Sequence, residues 1–190
     1  MEGGDVVTKV IDARDLSARA AELGAALTQD YHGTKPVFVT VMSGALWFVA
    51  DLVRQVDLPV EVDFLMLNRF GEGGRIRIAT DTATALTGRD VILVEDIVDT
   101  GLTLTVLRKL IAEREPASLK TVALIDKVPR RLVDVPIEYR GFEVGDEYLV
   151  GYGLDHRGLY RNLADIWAVL DLEAFQAAPD ALARVALTGS

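Results

Sequence analysis

A β-branched run, Val91-Ile-Leu-Val94, leads through adjacent carboxylates at Glu95 and Asp96 and a third at Asp99 into Thr100-Gly-Leu-Thr103. An apolar-periodic stretch, Leu102 to Glu113, follows at once. A short apolar run bounded by turn residues reads as a strand buried on both faces. Strand, tight glycine turn and helix in direct succession are the repeating unit of a parallel sheet. The same alternation runs along the chain. Asp12–Asp30 repeats Leu16, Ala20, Leu23 and Leu27 at helical spacing, with Asp12 or Asp15 as its cap and Gly33 just past its end. Val37–Met42 predicts a buried strand and Gly44–Val56 an apolar helix. Val60–Leu67 alternates as a strand with one wet face, Asn68–Gly74 is a glycine-rich turn, and Arg75–Ile78 is a strand returning from it. Thr121–Ile125, Pro136–Phe142 and Glu147–Tyr152 add strands, Ile166–Leu170 fits strand or helix, and the alanine-rich residues 177–190 form a tail that can fray. The expected fold is therefore α/β, with a mainly parallel central sheet flanked by helices, in a single domain spanning residues 1–190. Ligands of such sheets bind beyond the carboxyl ends of the strands. That singles out Met42–Ala45, Glu95–Thr103 and Asp126–Arg131.

Charge and composition narrow the partners. Twenty Lys and Arg stand against 29 Asp and Glu, a net charge of −9. Such a balance argues against a sequence-independent hold on nucleic acid, which needs clustered cations meeting phosphates. It equally disfavours an anionic membrane surface. No apolar run reaches the length that spans a bilayer, and the N-terminus lacks the pattern of a signal peptide. The absence of cysteine removes disulfides and thiolate metal sites, and two histidines, His32 and His156, are too few for a typical histidine-based site. A soluble, cytoplasmic protein is the expectation.

The junction after Val94 has chemistry suited to phosphate at one end. Amides at a helix start favour an anion, Gly101 lets backbone approach a ligand, and Thr100 and Thr103 add hydroxyls. Glu95 and Asp96, at the other end, suit Mg²⁺ or sugar hydroxyls. Asp99 reads on its own as a helix cap. The Walker phosphate loop is excluded because Leu102 stands where its lysine belongs, and no dinucleotide-type glycine pattern occurs.

Val91–Thr103 closely resembles the phosphoribosyl-pyrophosphate (PRPP) motif of type I phosphoribosyltransferases. Leu124-Ile-Asp-Lys127-Val-Pro-Arg-Arg131, Tyr139-Arg-Gly-Phe142, Val150-Gly-Tyr-Gly-Leu-Asp155 and Tyr160-Arg161-Asn-Leu163 resemble later blocks of the hypoxanthine-guanine branch, in the same order. The resemblance covers roughly Val10 to Leu170. It implies a fold with a small hood and a mobile catalytic loop. The implied activity is purine salvage: Mg²⁺-dependent transfer of the phosphoribosyl group from PRPP to a 6-oxopurine, releasing pyrophosphate. The resemblance assigns Glu95 and Asp96 to the ribose hydroxyls and metal. Asp99, Thr100, Gly101, Leu102 and Thr103 fall to the 5′-phosphate loop, with Asp99 also the general base. Lys127 falls to the exocyclic oxygen of the base, Tyr139 to stacking, Arg140 to the edge of the base pocket, and Asp146 to a second acidic position near base and metal. Ser43, Gly44 and Arg161 fall to pyrophosphate, with a cis peptide expected at Ser43–Gly44. A homodimer or homotetramer is also implied, and the helix carrying Trp47 and Phe48 is either its contact face or core.

Three positions depart from the family's pattern. Ser43 replaces a frequent Lys or Arg. Asn68-Arg69-Phe70-Gly71 replaces Ser-Ser-Tyr-Gly at the root of the mobile loop, which is also shorter. Arg140 replaces a small aliphatic residue. These leave room for another purine-like base, such as xanthine or a modified purine. A PRPP-sensing regulator that binds nucleic acid would need a basic face, whereas Arg130, Arg131 and Arg140 are interleaved with Asp126, Asp134 and Glu138.

Overall fold

A computed structural model describes residues 6–70, 75–178, 182–183 and 186–187. In chain order the elements are β1 (Val7–Ile11), α1 (Ala13–Asp30), β2 (Val37–Met42), α2 (Leu46–Val53), β3 (Glu61–Phe70), β4 (Arg75–Thr80) and β5 (Asp90–Val98). They continue as α3 (Leu102–Ala112), β6 (Ser118–Asp126), β7 (Tyr139–Glu143), β8 (Tyr148–Val150), β9 (Ile166–Val169) and α4 (Leu172–Ala177).

Six strands form the main sheet in the order β4-β3-β2-β5-β6-β7. Only β4 runs antiparallel to its neighbour. Side chains alternate across a strand, and the sheet shows this in its two cores. Phe38, Ile92, Val94, Val122 and Leu124 pack on one face with Leu16, Leu23 and Leu27 of α1 and Phe48 and Leu52 of α2. Val37, Val39, Leu93 and Ala123 face the other way, against Leu104, Leu107 and Ile111 of α3. Phe48 is thus core, whereas Trp47 on the same helix is partly exposed. Asp12 caps α1, its side chain accepting the N–H groups of Arg14 and Asp15.

β1, β9 and β8 form a separate antiparallel sheet in that order, the expected hood. Val7, Val150, Trp167 and Val169 pack there with Tyr160 and Phe175. Ile166–Val169 is the middle strand of this sheet and is buried throughout, which is why it shows no alternation. β1 has no counterpart in the sequence expectation, because Thr8, Lys9 and Val10 are all exposed between Val7 and Ile11.

Two boundaries differ in ways that matter for the site. β5 does not stop at Val94 but continues to Val98, so Glu95 and Asp96 lie within the strand. β3 likewise continues through Asn68, Arg69 and Phe70, which were expected to open the glycine-rich turn. The rest of that turn and of the mobile loop, Gly71–Gly74, lies outside the described residues. Of the tail at 177–190, the described part includes Leu182, which is buried. No helix among the described residues is long and apolar enough to cross a membrane.

From β2 the chain moves outward to β3, and from β5 outward to β6 and β7, in the opposite direction. The order reverses between β2 and β5, and a crevice opens beyond their carboxyl ends.

Candidate active site

A cleft of about 510 Å³ occupies that crevice, lined by Glu95, Asp96, Asp99, Thr100, Gly101 and Thr103 on one side and Lys127, Tyr148, Leu149 and Asp155 on the other. An outer cavity adjoins it, sharing Asp99, Lys127 and Tyr148 and adding Arg130 and Asp146.

Gly101 sits at φ +82° and precedes α3 without a side-chain cap. It gives the tight turn that aims the helix start at the cleft. Asp99 therefore does not cap α3. Its Oδ1 instead accepts Arg130 Nε at 2.5 Å, across from the turn that follows β6. Leu102 is the first residue of α3 and is half exposed.

Glu95 and Asp96 are the electrostatically disturbed carboxyls of the cleft. Burial, reinforced by Asp96, pushes the Glu95 carboxyl well above the usual range. Burial also raises Asp96 to about 6, opposed by the Ile97 N–H bond and Arg161 and assisted by Asp155. A buried carboxylate is stabilised by a cation or a set of donors, so this pair is suited to a cation or sugar hydroxyls. Among the described residues no three His, Asp or Glu side chains stand close enough to cage a metal. Mg²⁺ commonly takes one or two carboxylates and completes its shell with water and substrate phosphate, a donor set that the Glu95–Asp96 pair suits.

Gly44 lies against Asp96: a Cβ there would fall 1.5 Å from Asp96 Oδ2. At Gly153, φ +97°, a Cβ would fall 2.0 Å from the Gly44 carbonyl oxygen. Arg161 closes this corner, donating to the Gly153 carbonyl at 2.5 Å and pairing with Asp155 at 2.7 Å. Gly44 and Arg161 are thus brought together at the end of β2. The cis peptide is Met42–Ser43, one bond earlier than expected. The glycine is required by contact with Asp96 and Gly153, not by a cis bond of its own. Ser43 is exposed and does not line the cleft.

Lys127 is buried, and burial lowers its pKa; its Nζ donates to the Glu147 carbonyl at 2.5 Å. Two residues expected in the base region, Tyr139 and Arg140, fall elsewhere. Tyr139 pairs with Val122 at the amino-terminal end of β7, far along the strand from the cleft, and its hydroxyl donates to Asp30 at 2.5 Å. Arg140 forms ion pairs with buried Asp126 at 2.8 Å and with Glu143. Asp146 lines the outer cavity with Lys127, Tyr148 and Arg130. Tyr148, Leu149 and Asp155 line the cleft. The sequence did carry a signal for them. Gly151 and Gly153, two residues apart, mark a backbone that must pass close to another, and Tyr148 and Asp155 flank them.

Comparison with known proteins gives a consistent assignment. A hypoxanthine phosphoribosyltransferase of Haemophilus influenzae is 43% identical over 171 residues, 86% of this chain and 96% of its own. A hypoxanthine-guanine phosphoribosyltransferase of Bacillus subtilis is 40% identical over 163 residues, covering 84% and 91%. A crystal structure of a hypoxanthine phosphoribosyltransferase from Staphylococcus aureus superposes with a TM-score of 0.85 at 36% identity, covering 90% of this chain and 95% of that one. The family model described as phosphoribosyl transferase domain matches residues 7–157. With most of its length matched, the chain belongs to the phosphoribosyl transferase domain family.

Proposed function

We propose that the protein is a purine salvage phosphoribosyltransferase that joins hypoxanthine or guanine to the ribose of PRPP, giving IMP or GMP and pyrophosphate. The observation that carries this reading is the convergence of Lys127, Asp99 and Tyr148 on the cleft beside the Thr100–Thr103 loop. Lys127 can donate to an exocyclic oxygen but cannot accept from an amino group, which favours a 6-oxopurine over adenine. Tyr148 offers an aromatic surface and Leu149 an apolar wall for a flat base.

The 5′-phosphate sits in the Asp99–Thr103 loop, against the start of α3. Glu95 and Asp96 hold the ribose hydroxyls and, with Asp155 nearby, would hold a Mg²⁺ ion, which would supply charge neutralisation for the departing pyrophosphate. Gly44 and Arg161 form the pyrophosphate end, where the guanidinium suits paired phosphate oxygens. The C1–pyrophosphate bond breaks as the ring nitrogen of the base attacks, and Asp99 accepts the proton that this nitrogen sheds. Fixed charges preorganised around C1 stabilise its transient cationic character.

The test is a panel of hypoxanthine, guanine, xanthine, adenine and 7-deazapurines assayed with PRPP and Mg²⁺. Turnover confined to 6-oxopurines is expected. No turnover with any base would overturn the reading.

A further inference from the structure

Tyr148 reaches the cleft from β8 and is 37% exposed, so something other than burial must fix its ring. Its hydroxyl donates to the Asp155 carbonyl at 2.9 Å. His156 packs across the ring at a centroid distance of 5.7 Å and an interplanar angle of 83°. His156 Nδ1 also lies 3.3 Å from the Tyr148 hydroxyl oxygen. The single hydroxyl proton is committed to Asp155, so this oxygen meets His156 as an acceptor, which calls for the Nδ1–H tautomer.

Behind His156 stands Phe175 of α4, perpendicular again at 5.2 Å and 73°. Exposure falls along the series from 37% at Tyr148 to 7% at His156 and 0% at Phe175. The histidine is fixed from both ends of its own turn, exchanging backbone hydrogen bonds with Leu159. Tyr160 supports Phe175 at 5.8 Å, and Asp171 caps α4 by accepting the Ala174 N–H at 2.9 Å. His156 has no place in the chemistry described above and does not line the cleft.

We propose that His156 is a positioning residue of the base subsite: wedged between Tyr148 and Phe175, it sets the tilt of the Tyr148 ring. This inference rests on Tyr148 being the surface on which the base stacks. The C-terminal helix then supports base recognition although it touches no substrate. The Tyr148 hydroxyl bond also ties that surface to Asp155, which pairs with Arg161 at the pyrophosphate end.

Steady-state kinetics with hypoxanthine and PRPP test it. His156→Ala is expected to raise KM for hypoxanthine about tenfold, roughly the worth of a strong aromatic pair. Its kcat and KM for PRPP should change much less than KM for hypoxanthine, since the ring that moves belongs to the base surface. His156→Phe keeps a ring between Tyr148 and Phe175 and should recover most of the affinity. Phe175→Leu gives the same split through the next ring, and decides the matter if His156→Ala does not fold. Equal losses in kcat and both KM values, or an unchanged KM for hypoxanthine, would overturn the inference while leaving the transferase reading intact. An unsubstituted enzyme that turns over no purine would overturn both.

Discussion

Arg130 Nε donates to Asp99 Oδ1 at 2.5 Å, joining the turn after β6 to the turn after β5 across the mouth of the cleft. Both side chains are nearly half exposed. A pair of this kind contributes about 0–1 kcal/mol, so it orients the carboxylate without blocking it. In the proposed reaction the other oxygen takes the proton from the base. Asp99→Asn keeps the shape and removes the acceptor. PRPP binding should persist while turnover falls by roughly 10²–10⁴. Undiminished turnover would remove Asp99 from that role.

Lys127 places its ammonium on the Glu147 carbonyl at the wall of the cleft, where the proposed reading puts the base. A hydrogen bond from a charged donor contributes about 1.5–3 kcal/mol. Lys127→Ala is therefore expected to raise KM for hypoxanthine by about 10- to 100-fold, with KM for PRPP changing much less. Competition binding with IMP and with pyrophosphate separates the effects, and an equal loss of both would mark Lys127 as structural.

Gly44 has no room for a side chain, because a Cβ would overlap the Asp96 carboxylate. Gly44→Ala must displace Asp96 by an ångström or more. A displacement of that size near the reacting centre costs about 10²-fold in rate. A Gly44→Ala enzyme with normal kcat would show that the contact with Asp96 does not matter to the chemistry.

Burial raises Asp96 from 3.8 to about 6 and moves Glu95 in the same direction. A carboxyl whose folded pKa lies above its unfolded value stabilises the fold at low pH, and that stability is lost as pH rises through the folded pKa. The ligand-free protein should therefore lose stability as pH rises from about 4 through about 6 as Asp96 ionises, with Glu95 adding a loss of the same sign. In the proposed site Mg²⁺ and PRPP engage the ionised pair, so the rise in Tm on adding both should be larger at pH 8 than at pH 5. Equal rises at the two pH values would contradict this coupling.

How far the sequence revealed the molecule depended on how local each signal was. The helix at Asp12–Asp30 and the strand at Val37–Met42 were legible because cap, period and apolar run lie within a few residues. The acid–glycine–threonine junction was legible because strand, turn and helix start are contiguous. The base side of the cleft was not. Tyr139-Arg-Gly-Phe142 and Tyr148-Leu-Val150 are both short strands opening with tyrosine, and nothing local says which end of which sheet each occupies. Register answers that: Tyr139 lies opposite Val122, four residues before the Asp126 end of β6, whereas Tyr148 belongs to the hood sheet that overhangs the cleft. β1 was missed for a related reason, since its pairing with β9 joins residues about 160 positions apart in sequence.

Hypoxanthine and adenine differ at the one position that Lys127 is proposed to read. The most direct measurement is pyrophosphate release from PRPP in the presence of Mg²⁺, compared between these two bases at matched concentrations. The expected result is a kcat/KM for hypoxanthine at least about 100-fold above that for adenine, with one IMP formed for each pyrophosphate released. Equal rates for the two bases, or no release above the base-free control with hypoxanthine or guanine, would contradict the proposed function.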